Sequence, residues 1–341
     1  MNKKTRRLGR FAWGCVSASL VLILGLACNA NSEVPEAQAE SGQMEEGFVM
    51  TDDGFGLYYA KVGSGPKTVI LPARLFAFDD FTWLADEGYT LISYDMRNRG
   101  KSESIADGSR LTIEADVSDL EAVRRHFGVE RFSPIGYSYL GLMVVLYAVE
   151  HPQHVERIVQ LGPVPMRFGT EYAEEFRAKR EPDPEMIAEI RAMRADQGHL
   201  VRPYEYCLAE YSRYVRPRLV GDPSNVDVVP TPEFICSMPN EWPANLARHL
   251  RHQFVGSVQK LEPPVEQIRQ LQIPVLTIHG RLDLNAPYGS GREWVRTLPN
   301  ARLVTIDKGA HQSFSEYPEQ VRRAVEVFLA GDWPKGAEII E

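Results

Sequence analysis

Short apolar runs alternate with helical patterns along most of this 341-residue chain. Strand-like runs occupy residues 56–62, 68–71, 90–95, 132–137, 155–161, 273–279 and 301–306. Helical patterns at residues 113–127, 139–150, 291–298 and 318–329 separate many of them. Such alternation is typical of a mostly parallel, twisted sheet with helices on both faces, which binds ligands at the carboxyl ends of its strands. The sequence therefore predicts an α/β fold.

Ser138 stands between one of these apolar runs and the helical stretch that follows it, within Gly136-Tyr137-Ser138-Tyr139-Leu140-Gly141. A nucleophilic serine needs this setting, because a sharp turn between strand and helix lifts its hydroxyl above the sheet and requires small neighbours. Gly136 meets that need, although the commonest pattern, Gly-x-Ser-x-Gly, has glycine where this chain has Leu140. The alternative is an ordinary serine that caps the helix.

A serine hydroxyl needs a base, usually a histidine that a carboxylate orients. Asp283 lies in the turn after the strand-like run 273–279, and His311 lies in the loop after the run 301–306. Their order along the chain, serine then aspartate then histidine, is the order found in α/β-hydrolases. Taken singly, Asp283 also fits a turn-forming residue and His311 a buried polar residue. Three candidates at three strand ends favour a Ser138–Asp283–His311 triad.

Three segments resemble the catalytic loops of the α/β-hydrolase superfamily: Gly136 to Gly141, His279-Gly280-Arg281-Leu282-Asp283 and Gly309-Ala310-His311. The run from Tyr94 to Ser102 is similar to the loop after the family's fourth strand. The resemblance covers residues 48–329 except the middle, and is strongest to capped serine hydrolases that include proline iminopeptidase-like enzymes. It implies an oxyanion hole built from the backbone N–H of Tyr139 and a second N–H.

The oxyanion loop departs from the family pattern. Relatives carry His-Gly after the third strand, whereas here Leu71 is followed by Pro72-Ala73-Arg74-Leu75. Because the donor is a backbone amide, the side chain does not decide the matter, and we expect the N–H of Arg74, with Leu75 next, to supply it. A misplaced loop would leave a slow enzyme or a non-catalytic binding protein.

Residues 163–264 interrupt the alternation with helical segments and many prolines, which indicates a helical cap inserted into a core of residues 47–162 and 265–341. Acidic cap residues hold the substrate's amino terminus in cap-bearing aminopeptidases, so the resemblance suggests Glu205, Glu241 and the neighbouring Trp242 as substrate-binding residues. For each of them the alternative is an ordinary surface acid or cap-core aromatic.

The sequence thus predicts a serine hydrolase that forms an acyl-enzyme on a carboxylic ester. The alternatives are an aminopeptidase acting on peptides or amides, and a periplasmic binding protein that keeps the fold without catalysis. The net charge of −8 argues against nucleic-acid binding. No spacing of histidine and cysteine suggests zinc, and Gly100-Lys101-Ser102 lacks the glycine that a phosphate loop requires, so no metal or cofactor is predicted.

The amino terminus predicts export. Basic residues precede an uncharged apolar stretch, residues 11–27, and Leu24-Gly25-Leu26-Ala27-Cys28 resembles a bacterial lipobox in which Cys28 is lipidated. Residues 1–28 are then a lipoprotein-type signal, residues 29–46 a flexible tether, and the protein is periplasmic, anchored to the outer membrane because Asn29 is not the aspartate that retains lipoproteins at the inner membrane. Ordinary secretion with cleavage near Ala30, or a retained signal anchor, are the alternatives.

Export makes the cysteines interpretable, because an oxidising periplasm permits disulfides. Only Cys207 and Cys236 remain after the signal, and we expect them to form a bridge. The alternative is two buried free thiols.

Overall fold

The computed structural model describes residues 44–181 and 183–341, which lie in one compact unit. The predicted signal segment, Cys28 and nearly all of the predicted tether lie outside the described residues.

An eight-stranded sheet forms the centre of the described residues. Its spatial order is β1-β2-β4-β3-β5-β6-β7-β8, with β1 and β2 antiparallel to their neighbours and the remaining pairs parallel. This mostly parallel sheet confirms the predicted fold class. The strands are β1 Glu45–Met50, β2 Gly56–Val62, β3 Lys67–Leu71, β4 Tyr89–Tyr94, β5 Ser133–Tyr137, β6 Ile158–Leu161, β7 Val275–Gly280 and β8 Ala301–Ile306.

Helices connect these strands, and short 3₁₀ turns join several of them. The core helices are α1 Arg74–Phe81, α2 Ile113–His126, α3 Tyr139–Glu150, α9 Val265–Ile268, α10 Tyr288–Thr297, α11 Ser313–Glu316 and α12 Pro318–Ala330. Between β6 and α9 lie α4 Pro184–Ala195, α5 Gly198–Val201, α6 Pro203–Glu210, α7 Pro232–Cys236 and α8 Pro243–His249, with π-helical turns at Tyr211–Val215 and Leu250–Val255.

Burial explains why the central elements form. Every residue of β5, β6 and β7 is buried, as expected for parallel strands covered on both faces. Helix α3 is apolar around most of its circumference, and its residues from Tyr139 to Ala148 are all buried. The strand and the helix that flank Ser138 are therefore among the most enclosed elements of the protein.

Strand β1 was not among the predicted strands, and it begins before the predicted end of the tether at residue 46. Glu45 belongs to this strand because it pairs with Lys61 of β2, and its carboxylate also accepts hydrogen bonds from Tyr59 Oη and Lys61 Nζ, each at 2.7 Å. Only Val49 of the strand is fully buried, while Phe48 and Met50 are exposed. The strand therefore lacks the clear alternation that would reveal it in the sequence.

The segment between β6 and α9, for which the sequence predicts a cap and which is called the cap below, packs around its own apolar cluster. Cys207 of α6 and Cys236 of α7 form a disulfide at the centre of this cluster, with their Cα atoms 5.8 Å apart. The cluster consists of Leu75, Cys207, Tyr211, Leu219, Val220, Val229, Ile235, Cys236 and Met238. Leu75 is the one member of this cluster that lies outside the cap, in the first turn of α1, so the cap packs against the amino end of α1. Among the described residues, no helix has the length and apolar character needed to cross a membrane.

Candidate active site

Ser138 occupies a strained turn between β5 and α3. Its backbone has φ 57° and ψ −122°, a region that residues other than glycine rarely adopt. Gly136 makes the turn possible, because a Cβ atom there would lie 2.4 Å from the carbonyl oxygen of Leu140. The Ser138 side chain makes no capping hydrogen bond to α3, so it does not act as a helix cap. Backbone strain of this kind is typical of functional sites.

Leu140 stands where the commonest elbow pattern has glycine, and the structure accommodates it. Its side chain is buried and lines the cavity above Ser138. The close approach that needs a small residue has moved one position along, to Gly141, where a Cβ atom would meet the Pro163 ring at 2.9 Å. The motif therefore keeps two glycines, with the second displaced by one residue.

The folded chain brings Ser138, Asp283 and His311 together, although they follow different strands. The hydroxyl Oγ of Ser138 lies 2.9 Å from Nε2 of His311, and Nδ1 of His311 lies 2.7 Å from Oδ2 of Asp283. With Nδ1–H donating to the carboxylate, Nε2 is the ring nitrogen that accepts from the hydroxyl. This is the geometry that a nucleophile, a base and an orienting acid require.

Asp283 has an environment that keeps it ionised. Burial alone would raise its pKa, but the imidazoles of His311 and His279 outweigh that effect and hold the pKa of this carboxyl well below its usual range. Its other oxygen, Oδ1, accepts from the backbone N–H groups of Asn285 and Ala286, both at 2.8 Å. The Asp283 side chain therefore stabilises its own turn through Oδ1 and contacts His311 through Oδ2. The sequence had presented the turn and the triad as alternatives for this residue.

His279 supports the same loop. Its Nε2 lies 3.0 Å from the carbonyl oxygen of Ala286 and 3.4 Å from Oδ2 of Asp283. The ring is fully buried and packs against Tyr288. His279 thus fixes the turn after β7 from inside the core.

Arg74 and Tyr139, whose backbone N–H groups are expected to form an oxyanion hole, line the same cavity as Ser138. Arg74 begins α1 directly after β3, and Tyr139 begins α3. First-turn N–H groups of a helix have no intrahelical acceptor. Within residues 44–181 and 183–341, neither of these two N–H groups has a hydrogen-bond acceptor, and neither has that of Leu75. The N–H groups of Arg74 and Leu75 are therefore available to bind an oxyanion, although this loop lacks the family's His-Gly.

A cavity of about 340 Å³ extends from Ser138 beneath the cap. Its wall is predominantly apolar, and both the core and the cap contribute to it. Apolar lining residues include Leu75, Phe76, Met96, Leu140, Val215, Leu219, Ile235, Leu246, Leu250 and Phe254. Polar ones include Arg74, Asp95, Arg99, Glu210, Glu241, His249 and Gln253.

The three residues suggested for substrate binding do not converge. Glu241 lines the cavity, but its carboxylate accepts from Arg99 at 2.7 to 3.2 Å and from the Gly100 N–H at 2.8 Å. Glu205 is exposed on α6 and lies outside the cavity lining. Trp242 packs against the cap cluster and donates its indole N–H to the carbonyl of Cys236 at 2.8 Å. Of these three residues only Glu241 lines the cavity, and Arg99 already neutralises it.

Sequence reasoning missed residues that the fold brings to this site. Asp116 of α2 contacts the Tyr139 hydroxyl, Gln253 of the cap contacts Asp116, and Arg99 pairs with Glu241. A charged residue on the apolar face of the amphipathic helix α2 is the one sequence signal that could have revealed Asp116. Arg99 lies in the run from Tyr94 to Ser102 that resembles a family loop, but nothing in that run indicates its pairing with Glu241, and nothing local distinguishes Gln253 from a surface residue.

The fold and this site define a member of the α/β-hydrolase superfamily, as the motifs predicted. The family model described as alpha/beta hydrolase fold matches residues 81–185, and the model described as TAP-like protein matches residues 241–336. The chain belongs to this superfamily and is a hydrolase of the α/β type.

Individual relatives are distant but cover most of the chain. A proline iminopeptidase of Elizabethkingia meningoseptica is 22% identical over 75% of this chain and 88% of the relative. A bifunctional esterase/perhydrolase of Acinetobacter calcoaceticus is 22% identical over 83% of this chain and 99% of the relative. The solved structure of an esterase from Exiguobacterium antarcticum aligns with a TM-score of 0.59 and 16% identity, covering 83% of this chain and 99% of that one. The structural likeness establishes the fold.

Proposed function

We propose that this protein is a serine hydrolase that forms an acyl-enzyme on Ser138, with a carboxylic ester as its substrate. The observation that carries the proposal is the hydrogen-bonded chain from Ser138 Oγ through His311 to Asp283, with separations of 2.9 and 2.7 Å. A serine hydroxyl is a weak nucleophile until a base accepts its proton. In the proposed triad His311 is that base, and Asp283 is the acid that orients it.

In the proposed reaction, Ser138 Oγ attacks the ester carbonyl carbon while Nε2 of His311 takes the hydroxyl proton. The negative charge on the former carbonyl oxygen is stabilised by the N–H groups of Tyr139 and Arg74. His311 then protonates the departing alcohol, and the acyl group stays on Ser138. Water, activated by the same imidazole, attacks the acyl carbon and releases the carboxylic acid. Asp283 remains ionised and stabilises the imidazolium in both halves of the reaction.

The cavity supports an ester with an apolar acyl or alcohol group. Side chains such as Leu140, Leu219, Leu246 and Phe254 border it, and burying a substrate's apolar surface against them favours binding. On the wall, Arg99 and Glu241 neutralise each other. The esterase activity named for two of the relatives is consistent with this substrate class.

An aminopeptidase is the second candidate, favoured by the proline iminopeptidase relatives and by the carboxylates on the cavity wall. Recognition of a substrate ammonium group requires an available carboxylate. Glu241 is paired with Arg99, Glu210 accepts from Arg194 at 2.9 Å, and Asp95 lies 3.6 Å from the Arg74 guanidinium, so each carboxylate on the wall already has a cationic partner that a substrate ammonium group would have to replace. An ester demands no such exchange and is therefore our first choice.

Labelling with a fluorophosphonate tests the nucleophile directly. We expect the wild-type protein to be labelled and Ser138→Ala to stay unlabelled, with both variants showing the same circular dichroism. Absence of labelling in the folded wild type would refute the serine mechanism and favour a non-catalytic binding protein.

Rates on nitrophenyl esters compared with aminoacyl anilides then separate the two substrate classes. Preference for the esters is expected. Glu241→Gln should leave the ratio of the two rates unchanged if no amine is recognised, and Glu205→Gln, which alters an exposed acid outside the cavity, is its control. Selective loss of anilide turnover in Glu241→Gln alone would favour the aminopeptidase.

We also propose that the protein is exported and held in the periplasm at the outer membrane by a lipid on Cys28. The basic start, the apolar stretch and the lipobox-like Leu24 to Cys28 support this location. Cys28→Ser should release the protein from sedimented membranes into the soluble periplasmic fraction. Unchanged sedimentation of that variant would contradict the lipid anchor.

A further inference from the structure

The side chain of Tyr139, the residue directly after Ser138, is held by groups from two other parts of the fold. Its hydroxyl donates to Oδ2 of Asp116, which lies on α2. The same carboxylate oxygen accepts from the side-chain amide of Gln253, which belongs to the π-helical turn of the cap, at 2.9 Å. All three residues are buried. One carboxylate oxygen therefore joins the elbow, the core helix α2 and the cap.

The position of Tyr139 connects this arrangement to the reaction. The N–H of Tyr139 belongs to the peptide that follows Ser138, where the backbone is strained at φ 57°. A strained peptide keeps its orientation only when its surroundings hold it there. The Tyr139 phenol is held at its far end by Asp116, which restricts the positions of the Tyr139 Cα and Cβ atoms and, with them, the peptide bonded to that Cα.

Asp116 depends on these two donors. Arg97, the cation whose charge acts on Asp116, is committed to other carboxylates: it donates to Asp119 at 2.7 Å and to Asp53 at 2.7 and 2.8 Å. Burial raises the pKa of Asp116 to about 7, and hydrogen bonds from Tyr139 and Gln253 oppose that rise. No salt bridge to Asp116 exists within the described part of the chain. Tyr139 and Gln253 thus supply the polar contacts of a buried carboxylate.

The cap segment that carries Gln253 is bound to α2 at a second point. Ser257 Oγ accepts from the backbone N–H of Ile113, the first residue of α2, at 3.0 Å. Gln253 itself lines the cavity together with Leu250 and Phe254. The segment that covers the substrate cavity is therefore also the one that contacts Asp116.

We propose that Asp116 and Gln253 are positioning residues that act through the Tyr139 side chain to hold the Tyr139 N–H in its oxyanion-binding orientation. Docking of the cap through Gln253 completes this arrangement, so cap closure and transition-state stabilisation are coupled. The inference rests on the proposed serine mechanism, in which that N–H binds the oxyanion.

Tyr139→Phe tests the proposal because it removes the hydroxyl and leaves the ring and the backbone amide in place. Complete loss of an oxyanion-hole donor lowers kcat by about 10²–10³-fold. A donor that is present but no longer held should cost less, and we expect kcat to fall about 10-fold or more while KM changes by less than about 3-fold. The rate of fluorophosphonate labelling should fall in parallel, because the phosphonate oxygen occupies the same hole.

Tyr147→Phe is the matched control. Tyr147 lies on the same helix, is fully buried, and donates its hydroxyl to Glu121 of α2 at 2.8 Å. The Tyr147→Phe substitution therefore removes the same kind of contact between α3 and α2, at a point away from the cavity. We expect it to lower the melting temperature without changing kcat. If Tyr147→Phe lowers kcat as much as Tyr139→Phe, the contact is merely structural and the proposal is wrong.

Gln253→Met tests the cap's part, since methionine keeps the length of the side chain without its donor. We expect a fall in kcat that does not multiply with that of Tyr139→Phe in the double variant, because both changes act through Asp116. Independent, multiplicative effects would overturn the coupling, as would wild-type kcat in either single variant.

Labelling of the wild type distinguishes failure of the serine mechanism from failure of the positioning network. An unlabelled wild type contradicts the serine mechanism itself. A labelled wild type with unaffected Tyr139→Phe contradicts only the positioning network.

Discussion

Replacing Asp283 by asparagine removes a charge from the centre of the proposed triad and changes almost no volume. The amide can present its oxygen or its NH₂ to His311. If the oxygen faces His311, the NH₂ meets the backbone N–H groups of Asn285 and Ala286, which now donate to Oδ1 at 2.8 Å each. Two hydrogen bonds would then be lost where donors face donors. The NH₂ group should therefore face His311.

That orientation forces the wrong tautomer on the imidazole. Nδ1 of His311 must accept from the asparagine NH₂, so the proton moves to Nε2, and Nε2 can no longer accept from Ser138. The buried negative charge 2.7 Å from the ring, which would stabilise the imidazolium, is also gone. The corresponding change in a serine protease lowers kcat by about 10⁴-fold. At 1.36 kcal/mol per decade this is about 5.4 kcal/mol of transition-state stabilisation.

Initial rates on a saturating nitrophenyl ester measure this loss. Asp283→Asn should retain the wild-type fold by circular dichroism while kcat falls by about four decades. Asp307→Asn is the matched control, because Asp307 is an exposed acid in the loop before His311 and pairs with Arg281 at the surface. It should keep wild-type kcat. A folded Asp283→Asn variant with kcat within tenfold of wild type would refute the assignment of Asp283 as the orienting acid.

Two further outcomes concern stability. Reducing the Cys207–Cys236 disulfide, which spans a sequence separation of 29, should lower the free energy of unfolding by about 3 to 4 kcal/mol in the chain-entropy model, and urea denaturation with and without dithiothreitol measures it. An unchanged urea midpoint on complete reduction would contradict this expectation. Burial raises the pKa of Asp116 from 3.8 to about 7, so between these values the folded state binds a proton that the unfolded state has released. The free energy of unfolding should therefore fall as pH rises from about 4 to 7, more steeply in the wild type than in Asp116→Asn, and equal slopes in urea titrations would argue against a buried, protonatable Asp116.

The central strands and most core helices were predictable because burial leaves a local pattern. Strand β8 matched its predicted limits, residues 301–306, because most of its residues are apolar, and α3 matched residues 139–150 because it is apolar along nearly its whole length. Strand β1 was missed because Val49 is its only buried residue, whereas β8, at the other edge of the sheet, buries four of its six residues. An edge strand with exposed apolar residues has no periodicity that distinguishes it from a tether.

The cap shows where local pattern stops being informative about function. Its helices and prolines indicated an insertion, but the choice of Glu205, Glu241 and Trp242 rested on the resemblance to cap-bearing aminopeptidases and on residue type. The structure pairs Glu241 with Arg99, a residue 142 positions away in the chain, and leaves Glu205 at the surface. Whether an acid is available to a ligand depends on which distant cation packs beside it, and residue type does not report that.

By itself, the sequence determined the class of fold and the order of three candidate side chains at strand ends, because strand and helix patterns are short-range and parallel strands present their carboxyl ends at one edge of the sheet. Only the tertiary structure decided that Ser138 Oγ and His311 Nε2 lie 2.9 Å apart, and that a cap glutamine and a core aspartate meet behind the elbow. These contacts join residues more than a hundred positions apart, so their geometry depends on how whole elements pack.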